Sequence, residues 1–290
     1  MNEITWNKKL YSFPQKWDEM TAKQYVAVTR YLGTLLFHTD VTEKELYARR
    51  ILALRAVMNV PFWKFKKVLS GELVDLLGLL DFTKKININA QLLPEIKINH
   101  GFFKRMKLIG PKTSLTTSSF DEFIMADTYF VNISSKSDIN QAYFLFAMLY
   151  RPERKDLKEF KASPEWNGDT REPFNTTKCK ARVDFFKKYL PKELLVAVIY
   201  FYWGFRETNL LTFTTLFPKP VEGDEGNKPK KSNSFGWADT RLELSGHKFG
   251  NYKETGKENW LNIIFDMHRE QVKANEREKK AAIARLKSKR

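Results

Sequence analysis

The sequence predicts a mainly α protein (α+β): a multi-helix body with a small antiparallel sheet, followed by a C-terminal helical hairpin and a charged helical tail. Apolar residues recur at helical spacing through most of the chain, whereas period-two alternation is confined to short stretches. The hydrophobic share of 42% over 290 residues is enough to form a core. The predicted parts are 1–217, a mainly helical body with a small β-sheet; 218–234, a flexible linker; 235–268, a helical hairpin; and 269–290, a basic helical tail.

The small sheet is predicted from two stretches. Residues 4–13 mix β-favouring side chains with a lysine pair and stop at Pro14, which suits an edge strand. Glu95–Asn99 and Arg105–Gly110 alternate at period two on either side of a short turn, as in a hairpin. We expect the N-terminal strand and this hairpin, near 95–110, to form one antiparallel sheet.

Capping boxes mark the first two helices. Thr21 with Gln24, and Thr42 with Glu45, have the spacing at which an N-cap hydroxyl and an N3 side chain satisfy each other's backbone amides. Pro61 is expected to end the second helix. Later helices are predicted from the apolar periodicity of Ser119–Phe130, Asp138–Tyr150 and Ala181–Glu207, with a polar loop at Arg151–Thr177.

The proline- and glycine-rich segment 218–234 has too few apolar residues to order itself, so we expect a linker there. The sequence after this segment predicts a helix at Phe235–Lys248. We expect this helix to end at Gly246, because glycine readily adopts the left-handed conformation found at helix ends. A second helix is expected from about Lys257. Beyond His268 its apolar face fades into a charged tail of good helix formers, which predicts a solvent-exposed helix.

No stretch has the spacing of a catalytic or cofactor-binding motif. Gly246 and Gly250 follow a helix rather than a strand and lack the lysine of a phosphate-binding loop. The four histidines never fall at metal-ligand spacing, and there is no nucleophile elbow. A lone Cys179 excludes intramolecular disulfides and cysteine-based zinc clusters. We therefore expect no catalytic residue, no metal and no cofactor.

One polar loop, Trp166–Asn175, leaves two interpretations open. Asp169, Arg171 and Glu172 are close enough in sequence for acid–base or phosphate chemistry. The same residues could form a turn whose side chains pair with each other and cap the next helix, and we favour this structural network.

The longest apolar run, Leu194–Phe205, has about a dozen residues, whereas a membrane-spanning helix needs roughly 20. We expect a buried helix there, no membrane contact and a reducing, cytoplasmic location. The net charge of +16 favours polyanionic partners, although it could serve solubility alone. The expected polyanion-binding residues, which would bind nucleic acid in an unspecific and salt-sensitive way, are Lys273, Arg277, Lys279, Lys280, Arg285, Lys287, Lys289 and Arg290.

Several segments resemble proteins encoded by phages and prophages beside their tail genes. These segments are "LYSFPQKWDEMTAKQYVAV", "FDEFIMADTYF", "AMLYRP", "GDTREPFN", "FYWGFRE" and "FGWADTRLELSGHKFGNYKETGKENWLNIIFDMHREQ". The last is similar to the C-terminal helical hairpin of tail-assembly-chaperone-like proteins. The resemblance implies a non-enzymatic protein that binds a tape-measure or other tail component in the host cell during assembly.

This chain is larger and more basic than the usual small chaperone of that family. The departure leaves open a permanent place in the virion, such as a DNA-contacting connector. The expected contacts for a partner protein, chosen because aromatic residues dominate interfaces, are Trp237, His247, Phe249, Tyr252 and Trp260. The alternative is that the two tryptophans only pack the hairpin onto the body.

Overall fold

The computed structural model confirms a mainly helical protein with small antiparallel β-structure. It describes residues 2–6, 9–33, 41–60, 65, 70–101, 104–136, 138–217 and 236–288. The predicted linker, 218–234, and the basic residues Lys289 and Arg290 lie outside the described residues.

Among the described residues, the named strands form two separate antiparallel pairs. Strand β1 (Asn2–Trp6) pairs with β2 (Lys9–Phe13), and β3 (Glu95–Asn99) pairs with β4 (Arg105–Ile109). The expected single sheet is therefore wrong in its pairing. Local pairing within the first 13 residues closes a far shorter loop than pairing across more than 80 residues, so it costs less chain entropy.

The first helices begin where the capping boxes predict. Helix α1 (Ala22–Leu32) is capped by Thr21 and α2 (Glu43–Met58) by Thr42, both with the reciprocal hydrogen bonds of the box. Helix α2 ends before Pro61, because Asn59 adopts a left-handed φ of 51° and caps the last turn. Helix α3 spans Ser70–Gly78.

The middle of the chain forms the central helices. They are α4 (Phe120–Lys136), α5 (Ile139–Leu149), α6 (Leu157–Lys161), α7 (Thr176–Ala181), α8 (Val183–Tyr189) and α9 (Lys192–Phe205), which continues into a π-helical turn, Arg206–Leu210. Helix α9 contacts α1, α4 and α5. It is apolar around most of its circumference, as a helix at the centre of a core must be.

Gly204, near the end of α9, packs directly against the backbone of Ile88. A Cβ at this position would lie 2.5 Å from Ile88 Cβ and 2.9 Å from its backbone nitrogen and oxygen. We expect Gly204→Ala to lower the free energy of unfolding by about 1–3 kcal/mol, since backbone must shift to relieve the overlap. Urea unfolding measures it, with Gly78→Ala as the control, because a Cβ at Gly78 meets nothing within 4 Å. Equal stability of the two variants would contradict this packing.

The described part of the C-terminal region, 236–288, contains three helices, where two were predicted. They are α10 (Trp237–Leu244), α11 (Tyr252–Lys257) and α12 (Trp260–Ser288). The elbow between α10 and α11 is confirmed, since Gly246 and Gly250 have φ values of 80° and 74°. Helix α11 was missed because a third capping box, Asn251 with Glu254, went unrecognised.

Candidate functional site

Four charged side chains meet inside the protein and form what we call the charge centre: Glu122, Arg151, Asp169 and Arg171. Glu122 lies in the first turn of α4, Arg151 follows α5, and the other two lie in the loop after α6. Glu122, Arg151 and Arg171 are each only 1% exposed. Charged residues are almost never this buried unless they are paired.

Arg171 is held by both carboxylates. Its Nη1 donates to Glu122 Oε1 at 2.6 Å and its Nη2 to Oε2 at 3.2 Å. Its Nε donates to Asp169 Oδ1 at 2.8 Å, while Nη2 also reaches Oδ2 at 2.9 Å. Nη1 further donates to the Leu149 carbonyl. This planar, two-sided arrangement uses the full fork of the guanidinium.

Arg151 closes the centre from the other side. Its Nη1 lies 3.1 Å from Glu122 Oε2, and its Nη2 lies 3.4 Å from Asp169 Oδ2. It also donates to the carbonyls of Met148 at 2.8 Å and Glu172 at 3.0 Å. Two cations thus face two anions, so the centre is electrically balanced.

The electrostatics favour the charged forms of Asp169 and Arg171. Burial alone would raise the pKa of Asp169, but the two neighbouring guanidinium groups outweigh it, and the pKa is lowered. For Arg171, burial opposes the charged form, yet the carboxylates of Glu122 and Asp169 raise its pKa. The pKa of Arg151 is lowered, by burial first and by Arg171 next.

A cavity of about 580 Å³ opens beside the charge centre. Its walls come from the start of α4, the loop after α6 and the junction of α11 with α12, and include Ser119, Phe174 and Asn259. A catalytic interpretation of the loop needs a carboxylate free to exchange protons in such a cavity. Asp169 lines it, but its lowered pKa and its bonds to arginine make it a poor general acid or base. The geometry is that of a structural network.

Sequence reasoning found half of this centre. Asp169 and Arg171 were candidates, whereas Glu122 and Arg151 were missed. Glu172 pairs with Arg182 beside the centre instead of joining it, and Asn175 caps α7. A signal for Glu122 was present: it stands on the stripe of α4 that also carries the buried Ala126 and Phe130.

Lowering the pH tests the role of Asp169. Its folded pKa is below the ordinary value of 3.8, so its stabilising contribution is complete above that value and is lost as the pH falls through the lower folded pKa. We expect Asp169→Asn to be less stable than the wild type at neutral pH, with the gap shrinking below pH ~4. Urea unfolding across pH measures this. For Asp184→Asn, at an exposed position, the difference in unfolding free energy from the wild type should not shrink at low pH. A difference for Asp169→Asn that does not change with pH would contradict the pairing of Asp169 with Arg151 and Arg171.

The structure brings Trp237 and Trp260 together against Phe123 of α4. Trp260 is fully buried, stacks on Phe123 at 5.1 Å between ring centroids, and donates its indole N–H to the Leu115 carbonyl at 2.8 Å. Trp237 is half-buried, and its indole N–H donates to Asp127 Oδ2 at 2.9 Å. This corrects the expectation for Trp260, which packs the C-terminal helices onto the body and offers a partner no surface.

The remaining predicted contacts lie in the elbow. His247 is exposed, Phe249 is half-buried against the core, and Tyr252 is 47% exposed with the Arg241 guanidinium over its ring. None of these three residues lines the cavity beside the charge centre. They present a small polar and aromatic edge.

Helix α12 changes character along its length. Ile263 and Ile264 are buried, but from Gln271 onward most side chains are exposed. Ile283 is 54% exposed and Leu286 is 68% exposed, so two large apolar side chains three residues apart face solvent here. All described members of the predicted basic set are exposed, namely Lys273, Arg277, Lys279, Lys280, Arg285 and Lys287.

Comparison with protein-family models, with curated proteins and with solved structures finds no match to this chain. Among the described helices, none is both long and apolar enough to cross a membrane. Within the same residues, no group of three or more histidine, cysteine, aspartate or glutamate side chains is placed to hold a metal ion.

Proposed function

We propose that this chain is a non-enzymatic, phage-type assembly protein that binds another structural protein through the exposed part of α12. The main support for the proposal is the exposure of Ile283 and Leu286 in the C-terminal part of α12, where most side chains are exposed. Exposed apolar side chains that cluster mark interaction surfaces.

The large apolar side chains of α12 beyond Gln271 share one face. At about 100° per residue, Val272, Ile283 and Leu286 fall within a sector of roughly 60°. An amphipathic helix of this kind binds by laying its apolar face into a groove of a partner. The body supplies the anchor, because Trp260, Ile263 and Ile264 fix the first turns of the helix in the core.

The charge centre supports a non-enzymatic role. Its carboxylates are engaged by Arg151 and Arg171 from two sides, so the most conspicuous polar cluster contributes to the fold. The phage context rests on the resemblance of the segments quoted above to tail-assembly-chaperone-like proteins. The client would then be a tape-measure or other tail component, met in the host cell, and the protein would act during assembly or remain in the virion.

Co-expression tests this proposal. The tagged chain is expressed with each structural protein encoded by genes beside its own and purified with nuclease at moderate salt, about 0.2 M. We expect one structural protein to co-purify in a fixed ratio. The double variant Ile283→Ser with Leu286→Ser should weaken that complex at least tenfold, since anchor residues each contribute more than about 1 kcal/mol.

The matched control replaces two exposed valines of the body, Val74→Ser with Val131→Ser, and should leave the complex intact. Circular dichroism checks that both double variants remain folded. Absence of any co-purifying structural protein, or equal loss in the two double variants, would contradict the proposal.

A further inference from the structure

A second face of α12 carries four basic residues and one alanine. They are Lys273, Arg277, Lys280, Ala284 and Lys287, at steps of four, three, four and three residues, which places them on one side of a helix. The line extends over about 21 Å at 1.5 Å per residue. All five side chains are exposed. We call this face the basic stripe.

Most of this charge is available to a ligand. Within the part of the chain that the structure describes, Arg277, Lys280 and Lys287 make no ion pair, whereas Lys273 lies 2.9 Å from Glu270. Across 269–290 the sequence has nine lysines or arginines and three glutamates, a surplus of six positive charges. Glu276 borders the stripe without interrupting it.

The basic stripe is distinct from the apolar face. Its centre lies roughly 100° around the helix from Val272, Ile283 and Leu286. A ligand on one face therefore leaves the other free, and each face can be altered without touching its neighbour.

We propose that the basic stripe binds double-stranded DNA, without sequence preference, by seating α12 along the major groove. The phosphodiester backbone complements a line of exposed cations, three of which make no ion pair among the described residues. The major groove of B-DNA, about 12 Å wide, admits an α-helix, while the deep and narrow major groove of duplex RNA does not. Ala284 lies between Lys280 and Lys287, and its short side chain lets the helix approach the DNA closely. This function goes beyond the proposed protein binding and does not depend on it.

Fluorescence anisotropy of the full chain with a labelled DNA duplex of about two helical turns (~21 bp) tests the proposal. Four phosphate contacts predict a slope of about −4 in a plot of log K against log salt. The triple variant Arg277→Gln, Lys280→Gln and Lys287→Gln should reduce the magnitude of the slope by about 3. It should weaken binding on the order of 100-fold near 0.1 M salt.

The matched control removes the same charge from the body, as Lys178→Gln, Lys180→Gln and Lys192→Gln, all exposed positions. It should bind DNA nearly as well as the wild type, and so should Ile283→Ser with Leu286→Ser. If the two triple variants lost DNA affinity equally, the binding would depend on net charge and not on the basic stripe, and the proposal would be overturned. Equal or tighter binding of duplex RNA or of phosphatidylserine vesicles would overturn the choice of DNA.

Discussion

Replacing Arg171 with methionine is expected to lower the free energy of unfolding by about 3–5 kcal/mol, the largest effect of any change to the charge centre. The substitution keeps much of the side-chain volume but leaves the buried Glu122 and the partly exposed Asp169 with Arg151 as their remaining cation in the centre. An uncompensated buried carboxylate has lost its water and gained no partner. Urea unfolding followed by circular dichroism measures the change.

Two further variants make this result specific. Lys273→Met breaks an exposed pair with Glu270 and should leave stability unchanged, because solvent screens such pairs. Glu122→Gln in the Arg171→Met background restores charge balance, so the double variant should lose less than the sum of the single losses. Strict additivity, or a loss in Arg171→Met below about 1 kcal/mol, would contradict a coupled charge centre.

Trp260→Ala is expected to have a similarly large effect, about 3–5 kcal/mol. The indole is fully buried, packs against Phe123 and Phe205, and makes a hydrogen bond to Leu115. Its loss opens a cavity between α12 and α4 and removes one of the two hydrogen bonds to that carbonyl, which keeps the Ser118 backbone N–H as a donor. Thermal or urea unfolding by circular dichroism measures the loss.

Trp166→Ala is the control for Trp260→Ala, because Trp166 is 37% exposed and packs mainly on Phe160. It should destabilise the protein clearly less. Equal stability of the two tryptophan variants would contradict the role of Trp260 as the residue that anchors the C-terminal helices to the body.

Local signals predicted much of the fold. The boxes at Thr21 and Thr42 place helix starts because a cap is satisfied within four residues. The pairing of the N-terminal strand failed because period-two alternation identifies a strand but not its partner. Helix α11 was not predicted because its six residues are too few to show apolar periodicity. The capping box at Asn251 and Glu254 is the local signal that marks its start.

The candidate site was harder to predict because its parts are distant in sequence. Asp169 and Arg171 are two residues apart, so the sequence alone suggests that they interact. Arg171 and Glu122 are 49 residues apart and come into contact only when the helices pack. Apolar periodicity likewise shows that Trp260 lies on an apolar face of α12. This periodicity does not show whether the apolar face packs against the core of the protein or binds a partner protein.

We propose that the residues after Gln271 serve binding and that the body folds without them. A chain ending at Gln271 is compared with the full chain by thermal unfolding and by co-purification with the structural partner under nuclease treatment. We predict an unchanged melting temperature and loss of the complex. A complex that survives the truncation would contradict the claim, as would a body that no longer folds.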